Sequence, residues 1–192
     1  MYAELTSMSN FFRLCTASAL LFSAVILPVH ADTPDHKAAL FASGDGNILY
    51  IAAGVGLPLL SDGRYGTRHA LRVADALGTS VLLSEALKAL VKEKRPDSNA
   101  HDSFPSGHAT AAFAVATVES DLHPRQAAYW YLSAALISYS RVRLRRHTTA
   151  DVVAGAALGA GTAQVEVSQP RGLILSPFIM RGGLGMMMSK GL

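Results

Sequence analysis

The side chains best suited to chemistry lie in three short clusters in the middle of the 192-residue chain, and the first cluster is cationic. Lys88 is followed seven positions later by Arg95, with Pro96 directly after it. On a helix, a separation of seven residues turns through about 700°, nearly two full turns, so both cations would project from one face. Lys92 and Lys94 lie nearby, and for this cluster alone a solvated, basic helix end is the simpler interpretation.

The second cluster is the run Pro105-Ser106-Gly107-His108, which is typical of the start of a helix. The first turn of a helix has free backbone N–H groups and the positive end of the helix dipole, and both attract an anion. Gly107 would let a ligand approach the main chain closely, and His108 would stand in the first turn beside that ligand. Taken alone, a Ser106 N-cap with an incidental histidine explains the run equally well.

The third cluster combines a cation with a histidine and a carboxylate. Ser140-Arg141 is followed after five residues by His147 and, after three more, by Asp151. If a helix begins near His147, the two side chains are at positions i and i+4 and can meet. A carboxylate bonded to one imidazole nitrogen fixes the tautomer and leaves the other nitrogen free as a nucleophile or base. A helix-surface ion pair is the alternative interpretation.

Together, the three clusters predict a phosphoryl-transfer site. Three independent coincidences in one short stretch are improbable, whereas a single site would use every member. The clusters supply three cations, an anion-binding helix start and two histidines, one of them oriented by an acid. In such a site the cations stabilise charge on the phosphoryl oxygens, one histidine attacks and the other protonates the leaving group. The clusters contain no set of metal ligands, so we expect neither a metal nor another cofactor.

The same residues resemble the three-part motif of the type 2 phosphatidic acid phosphatase superfamily. That family includes bacterial acid phosphatases and lipid phosphatases, and it shares its site with vanadium haloperoxidases. Every position of the motif is matched, and the matching runs are Lys88…Arg95-Pro96, Pro105-Ser106-Gly107-His108 and Ser140-Arg141…His147…Asp151. The resemblance implies a helical bundle with the site between helices.

The resemblance also implies a role for each residue. His147 would attack the phosphorus and form a phosphohistidine, and Asp151 would orient it. His108 would protonate the departing oxygen and then activate water for the second step. The groups that would hold the phosphate oxygens are Lys88, Arg95, Ser106, the Gly107 amide and Arg141.

The elements that must position these residues are helices. Apolar residues recur at helical spacing between short polar connections, so the sequence predicts an all-α bundle. The apolar stretch from Asp45 to Leu60 contains Gly54, Gly56 and Pro58 and is not assigned a regular helix, and residues 61–72 are expected to form a polar connection. The predicted helices cover residues 74–94, 126–140 and 149–163, and a fourth begins at residues 105–107 and runs to 118.

The amino terminus is typical of a secretory signal. Arg13 precedes an apolar run from Ala17 to Leu27, and small residues lead to a predicted cleavage site after Ala31, so residues 1–31 are assigned to a signal peptide. Its removal would also remove the one cysteine, Cys15. An uncleaved amino-terminal anchor is the alternative.

The carboxyl terminus differs from the rest of the chain. Residues 32–168 would form the helical phosphatase domain, and residues 169–192 would form a tail. In the tail, two apolar runs flank Arg181-Gly182-Gly183 and predict a short C-terminal β-hairpin.

Composition limits the remaining possibilities. Half of the residues are hydrophobic and 16% are charged, which excludes a disordered chain. The net charge of +3 is a mild bias toward anionic partners and does not indicate nucleic-acid binding. After the signal, no charge-free run reaches the length of about 18 residues that is typical of a transmembrane helix. A bundle buried in itself is therefore favoured over a membrane form with short helices.

We therefore expect an exported, periplasmic and membrane-associated enzyme. Its predicted activity is metal-independent hydrolysis of a phosphomonoester or pyrophosphate through a phosphohistidine. The apolar bundle and the basic loops favour a phosphorylated lipid over a small phosphoester as the substrate. They also favour a membrane surface as a partner. The closest alternative function is a soluble, non-specific acid phosphatase, followed by a vanadium-dependent haloperoxidase and a non-catalytic phosphate-binding protein. The remaining histidines lie in polar stretches and are expected at the surface.

Overall fold

The computed structural model describes residues 34–169 together with two strands, 175–180 and 183–188. The predicted all-α bundle is confirmed, whereas the predicted signal segment, residues 1–31, lies outside the described residues. The helices are α1 (Pro34–Ser43), α2 (Asp45–Ser61), α3 (Gly66–Val91), α4 (Gly107–Leu122), α5 (Ala127–Arg143) and α6 (Thr149–Ser168), with 3-10 turns at Gly63–Tyr65 and Pro124–Gln126.

Helix α4 is the central element of the bundle, because every residue from Ala109 to Glu119 is buried. It contacts α2, α3, α5 and α6. A Cβ added at Gly159 of α6 would lie 2.0 Å from the carbonyl oxygen of Thr110, and one added at Gly54 of α2 would lie 2.3 Å from Cγ1 of Val115. The lack of a side chain at both glycines is therefore what lets these helices pack directly on α4.

The hydrophobic core joins α2, α4 and α5 through two aromatic side chains. Tyr50 and Trp130 pack edge to face with ring centroids 5.4 Å apart. The Tyr50 hydroxyl lies 3.0 Å from the carbonyl oxygen of Ala112 and 3.1 Å from that of Trp130. Burial raises the pKa of Tyr50 well above its usual value, so this hydroxyl remains a neutral donor between the helices.

Helices α1 and α2 were not predicted from the sequence. Helix α2 runs without interruption through Gly54 and Pro58. Gly54 packs against Val115, and Pro58 is buried near the helix end, where its carbonyl accepts a 3.0 Å hydrogen bond from the N–H of Asp62. Tertiary packing thus outweighs the low helix propensity of glycine and proline.

Helix α3 starts earlier and ends earlier than predicted. It begins at Gly66, inside the segment expected to be a polar connection, and it ends at Val91. Lys92 then adopts a left-handed conformation with φ 51°, and its N–H donates to the carbonyl of Lys88 over 3.0 Å. The helix therefore closes on a left-handed cap before it reaches Arg95-Pro96.

The tail contains the two predicted strands. Strands β1 (Leu175–Met180) and β2 (Gly183–Met188) pair antiparallel, with Leu175 opposite Met188 and Met180 opposite Gly183. The proposed boundaries of the domain and the tail stay predictions.

Within the part of the chain that the structure describes, no single helix is both long and apolar enough to cross a membrane. Helices α1 and α2, which are bent by 41° at their junction, reach that length and composition only as a pair.

Candidate active site

The three sequence clusters meet at one end of the bundle. Lys88 lies in the last turn of α3, where its Nζ would be only 3.2 Å from a Cβ added at Gly107. The N–H of Ser106 donates to the carbonyl of Asp151 over 2.9 Å. The first cluster therefore lies against the second, and the second is bonded to the third.

The start of α4 leaves hydrogen-bonding groups unused. Ser106 is the N-cap residue, with φ −70° and ψ 111°, but its side chain makes no capping bond. The Ser106 hydroxyl is buried and has no hydrogen-bond partner among the described residues. A serine that only capped the helix would accept a bond from an N–H of the first turn. The hydroxyl and the first-turn N–H groups therefore stay available to an anion.

His147 and Asp151 are close, but not as the sequence predicted. Helix α6 begins at Thr149 with Thr148 as its N-cap, which confirms the predicted start, and His147 lies two residues before the first helical residue. Nδ1 of His147 lies 3.7 Å from Oδ2 of Asp151, which is too far for a hydrogen bond. Nδ1 is instead 2.9 Å from the carbonyl oxygen of Ser103. Since a carbonyl only accepts, we assign the proton to Nδ1, which leaves a free lone pair on Nε2.

Asp151 is held by the helix start and by Ser103. Its Oδ2 accepts a 2.8 Å bond from the N–H of Thr148 and a 2.6 Å bond from the Ser103 hydroxyl. The Thr148 hydroxyl in turn accepts from the N–H of Asp151 over 3.2 Å, which completes a capping box. The three-residue spacing of Thr148 and Asp151 is the sequence pattern of a capping box, whereas no sequence pattern indicates a role for Ser103.

The two cations of the first cluster are paired with carboxylates. Nζ of Lys88 lies 2.6 Å from Oε1 of Glu85, and Arg95 donates two bonds, of 2.7 and 2.9 Å, to Asp102. Hydrogen bonds from Arg95 hold the pKa of Asp102 below its usual range, although burial opposes them. The Glu85 and Asp102 side chains are 60% and 48% exposed, and exposed pairs of this kind are weak. An incoming phosphate dianion can therefore replace them.

Ser43, the last residue of α1, contacts two of the predicted site residues. Its carbonyl accepts a 3.1 Å hydrogen bond from Nε2 of His108, and its hydroxyl accepts one from a terminal nitrogen of Arg141. Arg141 is itself buried, and its Nε has no partner in the part of the chain that is described. The sequence analysis missed Ser43, because no periodicity indicates that α1 reaches this end of α4.

Burial and neighbouring cations keep both site histidines neutral at pH 7. Burial, followed by the charges of Arg141 and Arg95, lowers the pKa of His147 to about 4. Burial and Arg141 also lower the pKa of His108 to about 4. Burial and the other cations lower the pKa of Arg141 to about 10, so this guanidinium stays charged. The site thus offers neutral imidazoles beside fixed positive charge.

Two further histidines, expected at the surface, are partly exposed and pair with carboxylates near the far end of α4. Nδ1 of His69 lies 2.6 Å from Asp62, and His123 bridges Asp62 and Glu119 at 3.1 and 2.9 Å. This network ties the connection between α2 and α3 to the end of α4. Neither it nor any other group in the described chain brings together three or more His, Cys, Asp or Glu side chains in a metal-binding arrangement.

Known proteins match this chain over its central region. A family model described as the PAP2 superfamily matches residues 69–174, which is more than half of the chain. Over 103 residues the chain is 35% identical to the lipid A 1-phosphatase of Porphyromonas gingivalis. That match covers 50% of this chain but only 23% of the relative, so the chain spans less than a quarter of that protein's length.

Two solved structures have a similar fold. LpxE of Aquifex aeolicus superposes with a TM-score of 0.56 at 24% identity, over 72% of this chain and 89% of that one. A transmembrane PAP2-type phosphatidylglycerolphosphate phosphatase of Bacillus subtilis superposes with a TM-score of 0.52 at 22% identity, over 86% and 94% of the two chains. At these identities the likeness concerns the fold alone.

Proposed function

This chain belongs to the PAP2 superfamily, and from that membership we propose that it is a phosphoric-ester hydrolase acting on a phosphorylated lipid, as a monoester or a pyrophosphate. The observation that carries the proposal is the convergence of three cations, an unused serine hydroxyl and two neutral histidines at the start of α4. The Porphyromonas gingivalis relative is named as a phosphatase of a lipid, which supports the substrate class.

In the first step of the proposed reaction, Nε2 of His147 attacks the phosphorus. The N–P bond forms as the bond from phosphorus to the leaving oxygen breaks, and the product is a phosphohistidine. The bond from Nδ1 to the Ser103 carbonyl keeps the lone pair on Nε2, and the low pKa keeps this imidazole neutral at pH 7. The charge on the phosphoryl oxygens would be held by Lys88, Arg95, Ser106, the Gly107 amide and Arg141.

His108 supplies and then recovers a proton. It protonates the departing oxygen and next takes a proton from the water that attacks the phosphohistidine and breaks the N–P bond. Burial and Arg141 lower the pKa of His108 to about 4, so the imidazole is neutral before substrate binds. A bound phosphate adds negative charge beside the imidazole and raises its pKa, so substrate binding itself generates the acid.

The central experiment compares His147→Ala with a matched histidine variant. Phosphate release by the purified full chain is measured from phosphatidic acid in mixed micelles and from p-nitrophenyl phosphate, with and without EDTA. We expect lipid turnover that EDTA does not reduce, a loss of about a thousandfold or more in His147→Ala, and no loss in His101→Ala. His101 is exposed and bonds only to the carbonyl of Lys92 in the described structure, at 3.2 Å.

The outcomes separate the competing functions. Acid quenching should trap a phosphoenzyme in the wild type and not in His147→Ala, and full activity in that variant would refute the mechanism. Turnover of p-nitrophenyl phosphate alone would identify a soluble acid phosphatase. Halide oxidation with vanadate and peroxide, without phosphatase activity, would identify a haloperoxidase.

The outer face of α5 supports a lipid substrate and a membrane surface as partner. Tyr129, Leu132, Leu136 and Tyr139 recur at helical spacing and are 75%, 54%, 64% and 40% exposed. Soluble monomers rarely leave a continuous apolar stripe facing water. We propose that this face lies against a bilayer on the periplasmic side.

Vesicle flotation tests the membrane contact. Leu136→Glu places a charge in the middle of the apolar stripe and should reduce the fraction of protein that floats with anionic vesicles. Gln126→Glu adds the same charge at the exposed start of the helix region and should leave flotation unchanged. Equal flotation of the two variants would contradict the proposed contact.

The proposed division of the chain is a signal peptide at residues 1–31, a catalytic domain at 32–168 and a tail at 169–192. Amino-terminal sequencing of the exported protein should begin at Asp32. A start at Met1 would support the uncleaved anchor instead.

A further inference from the structure

Ser103 stands between the carboxylate and the imidazole of the proposed site. Its hydroxyl donates to Oδ2 of Asp151 over 2.6 Å, and its carbonyl accepts from Nδ1 of His147 over 2.9 Å. The direct distance between that carboxylate oxygen and Nδ1 is 3.7 Å, and the Ser103 hydroxyl is 3.5 Å from Nδ1. The carbonyl of Ser103 is thus the one acceptor within good hydrogen-bonding distance of Nδ1 among the described residues.

Ser103 is held from both sides and is completely buried. Its N–H donates to the carbonyl of Glu93 over 2.9 Å, which anchors it to the end of the α3 connection. Its hydroxyl anchors it to Asp151, whose Oδ2 is also bonded to the N–H of Thr148 at the start of α6. The carbonyl that orients His147 is therefore placed by a bond to Asp151.

We infer that Ser103 is a positioning residue through which Asp151 orients His147 for the proposed attack on phosphorus. The inference rests on the proposed function and adds a residue to it. Its hydroxyl and its carbonyl have separate tasks: the hydroxyl ties the residue to the carboxylate, and the carbonyl keeps the proton on Nδ1. Asp151 then acts on the imidazole mainly through Ser103 rather than by a direct bond.

Ser103→Ala separates the two tasks, because it removes the hydroxyl and keeps the carbonyl. We expect kcat to fall by about ten- to a hundredfold, the range typical of losing one hydrogen bond to a charged group, with KM changed by less than about twofold. Ser98→Ala in the same connection is the control and should keep wild-type kcat, since Ser98 is exposed and lies outside the contacts of His147.

A double-mutant cycle with Asp151→Ala, which removes the acceptor of the Ser103 hydroxyl, tests whether Ser103 acts through the carboxylate. If it does, the double variant loses no more kcat than Asp151→Ala alone, because the second change removes a link that is already broken. Multiplying losses would show that Ser103 acts independently and would overturn the inference. Ser103→Ala alone leaves the buried Asp151 carboxylate without one of its hydrogen-bond donors, and this variant could fail to fold for that reason. The double variant has no carboxylate at position 151, so its comparison with the Asp151 variant holds in that case too.

The two proposals fail in different ways. If His147→Ala keeps full activity, the proposed mechanism itself is wrong. If His147→Ala is inactive and folded Ser103→Ala keeps wild-type kcat, only the role of Ser103 is overturned. Circular dichroism of each variant identifies the folded ones.

Discussion

Replacing Gly159 by alanine should loosen the contact between α4 and α6 that holds the two halves of the site together. The new Cβ would lie 2.0 Å from the carbonyl oxygen of Thr110, about 1.4 Å inside the 3.4 Å at which ordinary contact begins. Backbone cannot rotate away as a side chain can, so the helices must separate. Overpacking of this kind costs about 1–3 kcal/mol of unfolding free energy, and sometimes more.

Gly161→Ala is the matched control, because Gly161 lies on the same helix and a Cβ added there would have no neighbouring atom within 4 Å. Both variants gain up to about 1 kcal/mol of helix propensity, so the difference between them isolates the steric cost. Urea unfolding followed by the fluorescence of Trp130, the one tryptophan, measures it. Gly159→Ala should be less stable than Gly161→Ala by about 1–3 kcal/mol. Equal stability would refute the proposed packing.

Two further predictions concern charge. The free energy of unfolding should fall as the pH drops from about 6.5 to 4, because His147 and His108 bind protons near pH 6.5 in the unfolded chain and only near pH 4 in the folded one. His147 accounts for at most about 3 kcal/mol of this loss. Urea midpoints that do not change across this pH range would contradict the lowered pKa values. Asp102→Asn frees its arginine partner and should tighten competitive inhibition by inorganic phosphate about two- to fivefold, in keeping with an exposed ion pair. Asp121→Asn, which removes the same charge from an exposed position at the opposite end of α4, is the control, and an equal effect in both variants would contradict a specific role for Asp102.

The parts of the fold that local patterns specify were predictable. The start of α6 at Thr149 follows from a capping residue before an apolar run, and the structure has a capping box there. Helix α2 was not predictable, because its glycines and Pro58 argue against a helix until Val115 is known to pack on Gly54. The sequence predicted too late a start for α3 for a similar reason. The residues of its first turns are polar, and contacts with residues distant in sequence hold them, such as that of Arg72 with Glu166.

Residue types identified the components of the site, but not how they are bonded. Spacing alone places Asp151 one turn from His147, and the structure does bring them within 3.7 Å. The intervening carbonyl of Ser103 belongs to the backbone, so no side-chain pattern reports it. The carboxylates that pair with Lys88 and Arg95 are equally invisible to a motif, because an acidic residue in a polar loop has many explanations.

The contacts of Ser43 have a consequence for maturation and for protein engineering. The residues that follow a signal-peptide cleavage site are commonly treated as an unconstrained amino terminus that tolerates tags and truncation. Here, cleavage after Ala31 would place α1 almost at the new amino terminus, and the last residue of that helix contacts His108 and Arg141. A protease that trims past Pro34, or a bulky fusion joined at Asp32, would act on a wall of the site itself.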